Sequence, residues 1–102
     1  MNDNSYVVAF WVMELPSGLF NAILWQNPED VDFRFDYRFV DENNTTRSWD
    51  LVGKTEQEAE VAVDGLITLI SKRAGRVCTK IPVRGSLATL KVASGNVSVA
   101  QA

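Results

Sequence analysis

The sequence predicts an α+β fold. It reads as an antiparallel β-meander of about four strands, one helix over roughly residues 56–74 packed on one face, and a basic β segment toward the C-terminal end. Three observations carry this. Val31–Val40 alternates apolar and polar residues with a period of two, the pattern of a half-buried strand. Residues 55–75 hold an apolar stripe at helical spacing between a capping box and a glycine stop. The remaining β-rich runs are separated by short turns, which join antiparallel neighbours.

Met1–Ser5 is polar and is expected to be loose. Tyr6–Leu15 is rich in Tyr, Val, Phe and Trp and stops at Pro16. Both of its faces are apolar, with Tyr6, Val8, Phe10 and Val12 on one and Val7, Ala9, Trp11 and Met13 on the other. A strand of this kind is covered on both sides, and a single helix covers only one. Pro16-Ser17-Gly18 is a turn, since proline presets φ and glycine accepts a positive φ. Leu19–Gln26 is the returning strand, and Asn27-Pro28-Glu29-Asp30 is the next turn.

In Val31–Val40, Val31, Phe33, Phe35, Tyr37 and Phe39 share one face, and Asp32, Arg34, Asp36 and Arg38 share the other. Asp41–Thr46 is a polar turn and Arg47–Val52 a short fourth strand. Thr55 and Glu58 form the capping box; Ala59, Ala62, Val63, Leu66, Ile70 and Ala74 form the stripe. Glutamates at the start and Lys72 and Arg73 at the end suit the helix dipole, and Gly75 suits a left-handed cap. Arg76–Val83 is a strand that Pro82 confines to an edge. Ser86–Ser94 fits a strand or a short helix equally well, and Asn96–Ala102 is expected to be a loose tail. At 102 residues the chain makes one domain, 1–102.

Charge is unevenly distributed. The first 64 residues hold all thirteen acids against four bases, and the last 38 hold six bases and no acid. Such asymmetry means that the halves neutralise each other, within the chain or between copies, or that the basic end faces an external anion. Arg76, Lys80 and Arg84 fall four apart on one strand face, with Lys91 beyond. They are the candidate binding residues. The sequence pI of about 4.8 weighs against nucleic acid as their partner.

Several chemistries are excluded or unsupported. The chain has no histidine, so imidazole catalysis is out. One cysteine, Cys78, permits no intrachain disulfide and fits a reducing, cytoplasmic setting. No metal-ligand spacing, phosphate loop or cofactor motif is present: Gly53-Lys54-Thr55 matches only the tail of a P-loop. Glu56, Glu60 and Asp64 share a helix face that reads as solvated. The apolar run Val7–Met13 is too short to span a membrane. The glycosylation triplets at Asn43, Asn44 and Asn96 read as polar turn and tail.

These observations predict a small interaction or accessory protein without enzymatic activity or cofactor, acting as a homodimer or larger homo-oligomer. The second apolar sheet face would be covered by another copy, with Trp11 and Met13 as the interface candidates. The alternative is a module binding single-stranded nucleic acid or another polyanion through Arg76, Lys80, Arg84 and Lys91, with exposed tryptophans as stacking platforms. A second alternative is a small-ligand carrier or minor enzyme with a helix–sheet pocket lined by Phe33, Phe35, Tyr37 and Leu66.

Overall fold

The computed structural model describes residues 2–40 and 46–89. The chain folds as β1 (Tyr6–Leu15), β2 (Gly18–Gln26), β3 (Phe33–Val40), β4 (Thr46–Leu51), α1 (Glu56–Ala74) and β5 (Thr79–Ser86). The five strands form one sheet in the order β4-β3-β2-β1-β5, antiparallel at every pairing. The meander and the helix lie where the sequence places them, and the basic segment joins the sheet beside β1. As the edge strand, β5 tolerates Pro82, which has no N–H to donate to a ladder.

The β1–β2 turn and the ends of the helix have local causes. Leu15 pairs with Gly18, so the first hairpin turns on Pro16 and Ser17 alone. The Asp32 carboxylate accepts the Gly53 N–H at 2.9 Å, tying the entry of β3 to the approach to the helix. Thr55 caps α1: its hydroxyl accepts the Glu58 N–H at 3.2 Å, and the Glu58 carboxylate accepts the Thr55 N–H at 2.9 Å. That backbone N–H holds the Glu58 carboxyl below its ordinary pKa.

At the other end Gly75 sits at φ 62°, a left-handed conformation that favours glycine. Its N–H reaches the Lys72 carbonyl at 3.3 Å, and the Arg76 N–H reaches the Ser71 carbonyl at 3.2 Å. This paired arrangement is a Schellman cap. It moves the start of the last strand: Arg76 belongs to the helix stop, so β5 begins at Thr79 rather than at Arg76.

The core lies between α1 and one face of the sheet. Trp11, Met13, Phe20, Leu24, Phe35 and Leu51 are fully buried there, against Ala59, Val63 and Ile67 of the helix. Trp11 stands opposite the small Ala22 and meets Phe35 edge-on, with ring centroids 5.8 Å apart at 86°. Burying side chains of this size stabilises the fold by about 1.5–3 kcal/mol each.

The register of β1 shifts between Val7 and Ala9 against both neighbours. Against β5, Val83 and Arg84 together stand opposite Val8, and Arg84 takes φ 48°, an uncommon value for a residue with a side chain.

Residues 2–5 form a turn that is hydrogen-bonded to the segment after β5. The Asn2–Ser5 turn closes with the Ser5 N–H on the Asn2 carbonyl at 3.0 Å. Leu87 and Ala88 donate to the carbonyls of Ser5 and Asp3 at 2.8 and 3.0 Å. Residues 87–89 turn helical, with the Ser86 hydroxyl accepting the Thr89 N–H at 3.3 Å in the N-cap manner. The rest of the ambiguous 86–94 segment, the 96–102 tail and the Asp41–Thr45 part of the β3–β4 turn lie outside the described residues.

Candidate functional site

The basic residues singled out from the sequence have separate fates. Lys80 and Arg84 project from β5 toward the helix. The Lys80 ammonium lies 2.7 Å from Glu60 and 3.0 Å from Asp64, and 5.5 Å from the Trp11 ring centroid. The Arg84 guanidinium bridges Glu56 at 2.5 Å and Glu60 at 2.7 Å. The three helix carboxylates, spaced four apart, thus form a ladder against two cations spaced four apart on the adjoining strand. Alternation from Lys80 places Arg84 on the same, helix-facing side of β5. Arg76 is exposed and makes no ion pair among the described residues. Lys91 lies outside them.

Electrostatics follow the geometry. Hydrogen bonds from Arg84 and then Lys80 hold the Glu60 carboxyl below the ordinary glutamate range. Burial alone would lower the Lys80 pKa, but hydrogen bonds to Glu60 and Asp64 outweigh it and raise it. Hydrogen bonding to Glu60 likewise raises Arg84. The charges of the two chain halves therefore meet within one molecule at this ladder.

Trp11 and Met13 lie beneath the helix, each 1% exposed. The face they share is the covered one. The opposite face of the sheet carries Phe10 and Val12 of β1, Leu19 and Ile23 of β2, and Ile81 and Val83 of β5. Phe10, Val12, Ile23 and Val83 are half-buried, whereas Leu19 is 43% and Ile81 46% exposed. Among the described residues no helix or strand packs over this face: the sheet is a single layer and α1 lies on its other side.

The β3 and β4 part of the open face is polar, and Arg34, Asp36 and Asp50 pair there within the chain. Asp36 accepts the Trp25 indole N–H at 2.9 Å and the Ser48 hydroxyl at 2.6 Å, and lies 3.3 Å from Arg34. Arg34 also approaches Asp50 at 3.7 Å. The open face thus carries apolar residues on β2, β1 and β5, interspersed with Glu14, Asn21 and Thr79, and a charged border on β3 and β4. Of the three tryptophans, Trp11 is core, Trp25 is buried with its N–H bound, and only Trp49 is exposed, at 37%.

The other sequence candidates are placed equally plainly. Cys78 is half-buried and burial pushes its thiol pKa up, which disfavours the nucleophilic thiolate. Among the described residues no group of three His, Cys, Asp or Glu is placed to hold a metal ion. No described helix is long and apolar enough to cross a membrane.

The register shift in β1 exchanges two of its residues relative to plain alternation: Tyr6 lies with Trp11 and Met13 on the helix side and Val7 with Phe10 and Val12 on the open side, so the covered face, not the free one, holds Trp11 and Met13. The hairpin turn sets Met13 opposite Phe20 and Trp11 opposite Ala22. The β2–β3 register, Leu24 against Phe35 and Ala22 against Tyr37, then places this row beside the apolar face of β3, which the helix covers. Comparison with protein-family models, with curated proteins and with solved structures finds no match to this chain.

Proposed function

We propose that this protein is a non-enzymatic interaction subunit that works as a homodimer in a reducing, cytoplasmic setting, two copies packing through their open sheet faces. The observation that carries the reading is the apolar stripe of Phe10, Val12, Leu19, Ile23 and Ile81 on a sheet face with no covering element among the described residues. Contiguous apolar surface of this kind marks an interaction site on a folded domain. A second copy suits it because the Arg34, Asp36 and Asp50 charges of the border already pair within each chain. Aligned sheet-on-sheet packing would bring stripe against stripe and leave the Arg34–Asp36 border at the rim. A two-fold axis makes the contact self-complementary and closes the assembly at two copies.

Light scattering on untagged protein tests this over a dilution series. The expected mass is near twice the 11.4 kDa chain mass at high concentration, falling toward one chain on dilution. A single-chain mass at every concentration would refute the dimer.

The polyanion reading through Arg76, Lys80, Arg84 and Lys91 gains nothing from Lys80 and Arg84, whose charges are already met by helix carboxylates. It would require those bridges to break, and its signature would be affinity that falls steeply with added salt.

A further inference from the structure

Helix and sheet do not close on each other along their whole length. Toward the C-terminal end of α1 they part around a cleft of about 500 Å³. Its walls are Leu66, Leu69 and Ile70 of the helix, Leu15 of β1, and Tyr37 and Phe39 of β3. Phe20 backs the aromatic wall, its ring centroid 5.1 Å from that of Phe39 and 6.3 Å from that of Tyr37. The volume is in the range of small-molecule sites, roughly 300–1,000 Å³, and the lining is predominantly apolar as such sites require. Of the residues named from the sequence for a helix–sheet pocket, Tyr37 and Leu66 line the cleft, whereas Phe33 and Phe35 are buried in the core.

Two cations complete the lining, Arg47 of β4 and Arg73 in the last turn of α1, and among the described residues no carboxylate joins them. Both arginines are exposed, and among the described residues neither makes an ion pair or a side-chain hydrogen bond. The contrast with the other side of the helix is sharp, because there Lys80 and Arg84 are matched by Glu56, Glu60 and Asp64. Guanidinium groups are shaped to take a carboxylate through two parallel hydrogen bonds. An apolar slot bordered by two guanidinium groups with no anionic partner among the described residues selects a molecule with an apolar body and an anionic end.

We propose that this cleft binds a single-chain amphipathic carboxylate of the fatty-acid type. The alkyl chain lies against Leu66, Leu69, Ile70 and Phe39, and the carboxylate is held by Arg47 and Arg73. The site is on the helix side of the sheet, so it is independent of pairing through the open face.

An NMR titration of the full chain with decanoate, with decyltrimethylammonium as a ligand of equal chain length and opposite charge, tests the assignment. Decanoate is expected to shift the resonances of Leu66, Leu69, Ile70 and Phe39 and to bind at least about 10-fold more tightly than the cation. The double variant Arg47→Ala/Arg73→Ala is expected to lose at least about 10-fold in decanoate affinity and to abolish the preference. Both arginines are exposed, so the variant should fold, and an unchanged amide spectrum away from the cleft checks this. Equal binding of the two ligands, unchanged affinity in the double variant, or shifts confined to the open face around Ile23 and Ile81 would each overturn the proposal.

Discussion

Glu60 is the residue on which the charge ladder turns. Among the described residues it is the only carboxylate that meets both Lys80 and Arg84, and its side chain is only 14% exposed. Replacing it with glutamine leaves each cation one remaining partner, Asp64 for Lys80 and Glu56 for Arg84. The expected loss is therefore moderate, about 1–2 kcal/mol at neutral pH, rather than the larger cost of a stranded buried charge. Urea unfolding of Glu60→Gln beside wild type measures it. The sign of the pH effect follows from the depressed pKa. The unfolded chain binds the proton more readily, so the contribution is fully present above the unfolded value of about 4.3 and is lost as pH falls through the lower folded value. Wild type is expected to lose stability more steeply than Glu60→Gln between about pH 5 and 3, and parallel acid profiles would count against the ladder. Lys80 adds no loss in this window, since its raised pKa places its own transition above the ordinary lysine range.

At the scale of elements, the helix was the most legible part of the sequence, because its signals are local. Thr55, Glu58 and Gly75 each perform the capping role their chemistry implies. Thr55→Ala is expected to cost about 1 kcal/mol by losing the cap. Gly75→Ala is also expected to cost about 1 kcal/mol, because a side chain is strained at φ 62°. No atom lies within 4 Å of the added Cβ, so the cost is conformational rather than steric. Urea midpoints of the two single variants check both values. Strand β3 was legible through its period-two alternation, and β1, β2 and β4 through β-rich runs bounded by turn residues. What was not legible depends on distant partners. The bulge at Arg84 arises from pairing with β1, and no residue between Arg76 and Gly85 signals it. The late start of β5 follows from the helix cap claiming Arg76. The carboxylates Glu56, Glu60 and Asp64 looked like a solvated helix face because the strand that meets them comes sixteen or more residues later.

At the scale of the whole molecule, the sequence carried the uneven charge and the doubly apolar first strand, and both find a physical reading. Part of the asymmetry is neutralised within the chain where α1 meets β5. The double apolarity of β1 reflects a core on one side and an open stripe on the other. Which side was open could not be read, because it depends on the β2–β3 register and on which row of β3 the helix covers. The arginine-bordered cleft was hidden for the same reason: Arg47 and Arg73 are 26 positions apart and belong to different elements. The central claim is that the open face, and no other, joins two copies. The most direct test is the solution mass of Ile23→Lys/Ile81→Lys compared with wild type and with Leu69→Lys, whose change lies at the cleft on the helix side. The account predicts a dimeric wild type, a dimeric Leu69→Lys and a monomeric, folded double variant. A double variant that remains dimeric would contradict it.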